Sequence, residues 1–187
     1  MTTTPLAPNP MEQGAALLDG GRFHEAVKVF AMVLPSQPLA PEPRVGLARA
    51  FAGMGDGWAA CAWLSDACRV APQRPALWQE LARLLVTLKR ESELEPLLVA
   101  AVAANPDDVM LLQLQGDFHL RRKEYAKALP AYERLHDLQP GDPVVLLNYG
   151  FCQEHAGSVD KAVLLYRKAI AVRPDFMEAH VDLSGVL

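Results

Sequence analysis

The sequence is short of cysteine, of excess positive charge and of long apolar runs. Each shortage excludes a class of protein. Three cysteines in 187 residues cannot build a disulfide scaffold. Cys61 and Cys68 lie on one expected helix, about 10 Å apart along its axis at about 1.5 Å per residue. That separation is beyond disulfide reach, so the cysteines read as small buried hydrophobes. No Cys or His pair has the spacing that zinc needs. The histidines His24, His119, His136, His155 and His180 show no metal-ligand pattern, and His119 and His180 read as packing residues. Net charge is −4, from 18 basic and 22 acidic residues, with no basic stripe. A nucleic-acid partner is therefore not expected. Most of the imbalance falls in 75–108, where Arg83, Lys89 and Arg90 face six acidic residues. The longest apolar stretches, Leu84–Leu88 and Leu97–Ala104, are too short to span a bilayer. The first ten residues have neither the positive start nor the apolar run of a signal peptide. A cytoplasmic location without membrane insertion is the expectation.

Catalytic motifs are missing too. There is no Gly-rich phosphate loop, no Gly-x-Ser-x-Gly and no His-Glu-x-x-His. Carboxylates are scattered over expected helix surfaces. The reading is a chain with no catalytic site of its own, no cofactor and no metal.

What the sequence does have is a period. Pro38, Pro72, Pro106, Pro140 and Pro174 stand 34 residues apart. Counting back from each gives five repeats: 7–40, 41–74, 75–108, 109–142 and 143–176. Position eight of each is small: Gly14, Ala48, Ala82, Gly116, Gly150. Position twenty is Ala26, Ala60, Leu94, Ala128, Ala162. Position twenty-four is large: Phe30, Leu64, Leu98, Tyr132, Tyr166. Two helices in contact need small residues where backbones approach and large ones where a gap must be filled. Asp19-Gly20-Gly21, Gly53 to Gly57 and Ala156-Gly157-Ser158 carry turn chemistry between paired helices. The register proline ends each second helix, because it lacks an N–H and restrains its predecessor.

Several residues in one register over five repeats resemble the tetratricopeptide repeat (TPR) family. The likeness covers 7–187, and its best matches are Gly150, Ala162, Tyr166, Ala169 and Pro174, then Gly116, Tyr125, Ala128, Tyr132 and Pro140. It implies an all-α fold: a right-handed α-solenoid of antiparallel helix pairs. The expected organisation is a flexible segment at 1–10 followed by an array over 11–187. Pro8 and Pro10 delay the first helix to near Met11, and Pro35 shortens the second. Pro96 and Pro130, both at position twenty-two, imply either a bend tolerated on the outer face or a hinge. Residues 177–187 supply a sixth first helix without a partner. That open end predicts self-association, or a chain that is the N-terminal part of a longer protein.

In this family the first helices line a concave groove, and the resemblance implies that positions two, five, six, nine, twelve and thirteen face it. Arg49 and Arg83 share one register in adjacent repeats. They would either hold a carboxylate of an extended peptide or pair with Glu80 and Asp117. Met110, Leu114, Leu147 and Phe151 form either an apolar strip for a partner or packing between helices. Arg121 and Asn148 complete the candidate groove set. The Lys/Asn pattern of chaperone-carboxylate clamps is absent, and of the asparagine ladder of O-linked N-acetylglucosamine transferases only Asn148 is present. The expected function is a protein-interaction scaffold that binds a partner segment in its groove. The alternative is a substrate-recruiting module of a larger enzyme, such as a bacterial glycosyltransferase, methyltransferase or sulfotransferase. A third reading is a secretion or pilus assembly chaperone.

Overall fold

A computed structural model describes residues 9–187, and every regular element among them is helical. The chain divides into two compact units, Met1–Leu97 and Leu98–Leu187, called here the N-terminal and C-terminal halves. The first half holds α1 (Pro10–Asp19), α2 (Phe23–Val33), α3 (Glu42–Gly53), α4 (Gly57–Val70), α5 (Pro75–Thr87) and the start of α6 (Glu91–Ala104). The second holds the rest of α6 with α7 (Val109–Arg121), α8 (Tyr125–Leu138), α9 (Pro143–His155), α10 (Val159–Val172) and α11 (Met177–Val186). Consecutive helices fold back on each other in pairs. Of the flexible segment expected at 1–10, residues 1–8 lie outside the described residues. Asn9 caps α1, its side chain accepting from the Met11 amide at 3.0 Å, and Pro10 is already helical.

Proline acts at both ends of these helices. The helices α4, α6, α8 and α10 each stop two residues before the register proline. Pro75 and Pro143 instead open α5 and α9, where a missing N–H costs nothing. In the first repeat, α2 ends at Val33 and a short 3-10 turn, Leu34–Ser36, carries Pro35. Asp56, Asp108 and Asp142 cap α4, α7 and α9 by accepting from backbone amides at 2.8–3.0 Å. Pro96 and Pro130 lie inside α6 and α8, and both are exposed.

The turn within each pair is one backbone motif repeated. Position fifteen has positive φ throughout: Gly21 (69°), Gly55 (81°), Lys89 (56°), Lys123 (59°) and Gly157 (88°). The next amide reaches back five residues, as in Arg22 N to Leu17 O (2.8 Å), Arg90 N to Leu85 O (2.9 Å) and Glu124 N to His119 O (2.9 Å). This closes the orphan carbonyls of the first helix. Glycine fits the left-handed conformation without cost. Lys89 and Lys123 hold it against a penalty of about 1–2 kcal/mol.

Packing follows the small–large rule. The Phe30 ring lies where a Cβ on either Gly14 or Gly46 would stand 2.5 Å away. A Cβ on Gly150 would meet Tyr166 at 2.7 Å, and one on Gly116 would meet Tyr132 at 3.0 Å. Leu17, Ala26, Leu47 and Ala50 surround Phe30 in the first half. In the second half, Leu112, Leu135, Val145 and Cys152 surround Tyr132, and Leu146, Leu165 and Phe176 form a further cluster. Each fully buried large side chain contributes about 1.5–3 kcal/mol. Cys61, Cys68 and Cys152 are free and buried. Burial pushes the Cys68 and Cys152 thiols up to about 12, which keeps them protonated and inert.

Candidate functional site

In the N-terminal half, α1, α3 and α5 border a cleft of about 330 Å³. Its apolar lining includes Met11, Leu18, Phe30, Val45 and Leu77. Gly46 leaves the Phe30 ring edge open to it, because any side chain there would cover the ring. Two ion pairs frame this apolar space. Arg74 Nη1 donates to Glu42 Oε1 at 2.6 Å, and that bond holds the Glu42 carboxyl below the usual carboxylate range. Arg49 forks onto Glu80 through bonds of 3.3 and 3.4 Å. Both pairs are substantially exposed, so each is worth at most about 1 kcal/mol.

A smaller cleft of about 200 Å³ shares Arg49 and Glu80 with the first and adds Arg83, Leu84 and Thr87. Arg49 and Arg83 thus line one recess, but their situations differ. Arg49 is occupied by Glu80. Arg83 makes no ion pair among the described residues. The other six arginines of this half, Arg22, Arg44, Arg49, Arg69, Arg74 and Arg90, each face a carboxylate. Arg44 is the buried one, bonded to Asp66 and to the carbonyls of Ala40 and Pro38, so it ties the loop after α2 to α4. Arg74 was not anticipated as a groove residue. Its partner Glu42, 32 residues earlier, is the only sequence trace of its role.

In the C-terminal half, the candidate Asp117 and a further acid, Glu154, are each held by a tyrosine. Tyr132 Oη donates to Asp117 Oδ1 at 2.6 Å, and Tyr166 Oη donates to Glu154 Oε2 at 2.7 Å. Burial and then the adjoining carboxylate push both phenols above their ordinary range. Asp182 is pushed up as well, by burial and by the nearby Glu154. The four members of the expected apolar strip differ. Met110 is 52% exposed, while Leu114, Leu147 and Phe151 are half-buried. Leu147 packs against the Leu146–Leu165 cluster. Phe151 stacks on His155 with ring centroids 4.2 Å apart and meets Tyr125 edge-on at 5.8 Å. Asn148 is half-buried and Arg121 is exposed.

The two histidines expected to pack inside part company. His119 is buried, with Nδ1 2.8 Å from Glu124 Oε2. His180 is exposed, its Nε2 2.9 Å from the Pro174 carbonyl. The reason is local: Ala179 is the one buried residue of α11, so the neighbouring register position faces out. Among the described residues, no helix is long and apolar enough to cross a membrane.

Known proteins agree with this architecture. A family model described as tetratricopeptide repeat matches residues 21–174. Tetratricopeptide repeat protein 13 of Homo sapiens is 24% identical over 90% of this chain, which spans 20% of that protein. Protein O-mannosyl-transferase TMTC1 of Mus musculus is 26% identical over 62% of this chain and 13% of its own length. The chain therefore spans a fifth or less of these curated relatives. Among solved structures, YrrB, a TPR protein with an unusual peptide-binding site, superposes with a TM-score of 0.62 at 20% identity. The match covers 92% of this chain and 89% of YrrB. The crystal structure of MamA gives 0.62 at 21% identity, over 90% and 92% of the two chains. With a family model running through most of its length and a 34-residue helix pair as its building block, the chain belongs to the tetratricopeptide repeat family.

Proposed function

We propose that the chain is a protein-interaction scaffold whose first-helix groove in the N-terminal half binds a partner segment bearing a large apolar side chain and a carboxylate. The observation that carries this reading is Arg83, the one arginine of that half without an acidic partner among the described residues, set beside an apolar cleft. An anionic group arriving there would gain a charge-assisted bond without first breaking one. It would also compete for Arg49, whose exposed bond to Glu80 is weak enough to exchange. The cleft of about 330 Å³ next to it would take the apolar side chain. The test is fluorescence anisotropy with labelled peptides that pair one leucine with a short acidic run, against versions in which the acids are amidated. The acidic peptides should bind, and Arg49→Glu with Arg83→Glu should weaken them about tenfold or more while helicity stays the same. Unchanged affinity in the double variant would sink the proposal.

A second reading draws support from the relative that is a protein O-mannosyl-transferase, which this chain matches over 13% of its length. In it, the array is the recruiting module of a larger enzyme and the same groove presents substrate. The intact mass in the source cell decides: a species well above 20.4 kDa supports the module, and one at 20.4 kDa supports an adaptor.

A further inference from the structure

The outer face of α10 in the C-terminal half gathers charge that the sequence keeps apart. Lys161 stands six residues before Arg167 and seven before Lys168, so only the helix period brings them to one side. All three are exposed, and among the described residues none of them makes an ion pair. They occupy positions nineteen, twenty-five and twenty-six of their repeat. No basic residue stands at those positions in α2, α4 or α6. In α8 they hold Lys127, Glu133 and Arg134, and both cations are taken by acids, Lys127 by Glu124 and Arg134 by Asp107 and Asp137. Apolar residues share the α10 face: Leu164 is 56% exposed and Val172 52%. At about 3.6 residues per turn, Leu164 and Ala171 lie two turns apart near the middle of that face. Arg167 flanks this line on one side, and Lys161 and Lys168 flank it on the other. Asp160, in the first turn, is the one acid of the helix.

We propose that the outer face of α10 is a docking surface for an acidic amphipathic helix of a partner protein. The line of Leu164 and Ala171 has the seven-residue spacing of a packed helix seam, and the small, exposed Ala171 lets a second backbone come close. The flanking cations stand where the charged edge positions of a coiled coil stand, so acids on both edges of the incoming helix would meet them. Because no acid of this chain holds Lys161, Arg167 or Lys168 among the described residues, those bonds form without breaking others. The same face suits other anionic surfaces less well. Two exposed large apolar side chains with Asp160 beside them leave little to insert into a bilayer. Three cations neutralise too few phosphates to hold nucleic acid at physiological salt. The surface is separate from the first-helix groove, since α10 is the second helix of its pair.

The probe is a labelled amphipathic helix of leucine and glutamate, about 18 residues or five turns long. Its two counterparts are a leucine–lysine helix and an alanine–glutamate helix. Binding is read by anisotropy on the full chain carrying Arg49→Glu and Arg83→Glu, which removes the groove's own attraction for acids. The leucine–glutamate helix should bind. The leucine–lysine helix should not, and the alanine–glutamate helix should bind about tenfold more weakly. Adding Lys161→Glu and Lys168→Glu, both at exposed positions, should weaken binding about tenfold or more while helicity and thermal midpoint hold. Full affinity after that lysine reversal, or equal binding of the two leucine helices, overturns the proposal. So does binding to phosphatidylserine–phosphatidylcholine vesicles or to duplex DNA that exceeds the peptide's and is lost with the same reversal, since the occupant would then be a membrane or a nucleic acid. A concentration-dependent oligomer that the reversal abolishes overturns it too, because the face would then belong to a second copy.

Discussion

At position twenty-four the first repeat, in the N-terminal half, carries Phe30, whereas the last two repeats, in the C-terminal half, carry Tyr132 and Tyr166; Leu64 and Leu98 fill the position between them. The difference is one hydroxyl, and it reaches the groove. Tyr132 and Tyr166 bind Asp117 and Glu154 from below, so those acids are tethered to the core. Phe30 has nothing to offer a polar neighbour, and the charges above it pair with one another across the surface, Arg49 with Glu80 and Arg74 with Glu42. A tethered carboxylate must break a buried bond to serve a ligand. An exposed ion pair exchanges at little cost. The same helix pair thus yields a groove with mobile charges in one half and one with anchored charges in the other. That contrast is why the groove proposal rests on the first half.

The comparison can be broken at its base. Phe30→Ala should cost about 3–5 kcal/mol in urea denaturation, because the ring fills the space that Gly14 and Gly46 leave. A cost below about 1 kcal/mol would mean that the helices close the gap unaided. The next effect is the tether. Tyr132→Phe and Tyr166→Phe should each cost about 1.5 kcal/mol, the scale of a hydrogen bond to a charged group. Phe30→Tyr should bring no comparable gain, since the carboxylates of its cleft, Glu42 and Glu80, already pair with Arg74 and Arg49. The tether also has a pH signature. Unfolded tyrosine ionises near pH 10, while in the folded chain burial and the carboxylates keep both phenols protonated beyond that. Above about pH 10 the folded state therefore holds more protons, and stability falls as pH rises. The double Tyr→Phe variant should make this alkaline limb shallower, the remainder coming from the raised Cys68 and Cys152 thiols, and an unaltered limb would assign it wholly elsewhere.

Smaller effects sharpen the contrast. Lys89→Gly and Lys123→Gly should each stabilise by about 0.5–1 kcal/mol, the relief of left-handed strain less the entropy of glycine. Gly55→Lys should cost a similar amount. Arg49→Glu with Arg83→Glu should shift stability by no more than about 1 kcal/mol, since the Arg49–Glu80 pair that it breaks is exposed. A larger loss would show that the groove charges of the first half are structural after all.

The helices were legible because their signals are local. Register prolines, small residues at position eight and large ones at position twenty-four each act on their own neighbours. Glycine marked three of the left-handed turns, whereas Lys89 and Lys123 carry no turn signal and only the register could have exposed them. Position fifteen holds glycine in the other three repeats, which was the available clue. The groove was harder to read. Arg49 and Glu80 stand 31 residues apart, and which acid occupies which arginine depends on how adjacent first helices lean together. Trp58 over Arg90 is a contact of the same kind, and it was missed for the same reason. His180 misled because it occupies an aromatic register on a helix that buries little else.

The left-handed lysines have a consequence for how the chain meets a protease. Trypsin cuts after lysine, but only where the backbone can lie extended in its active site. Lys89 and Lys123 sit where the backbone is most tightly wound, each closed by hydrogen bonds on the residue itself and on the next. Cleavage at either site would require that helix pair to open first. The equivalent positions Gly55 and Gly157, followed by Asp56 and Ser158, are silent to the same enzyme. Two of the five turns thus carry their own reporters of local opening, at the junctions of α5 with α6 and of α7 with α8.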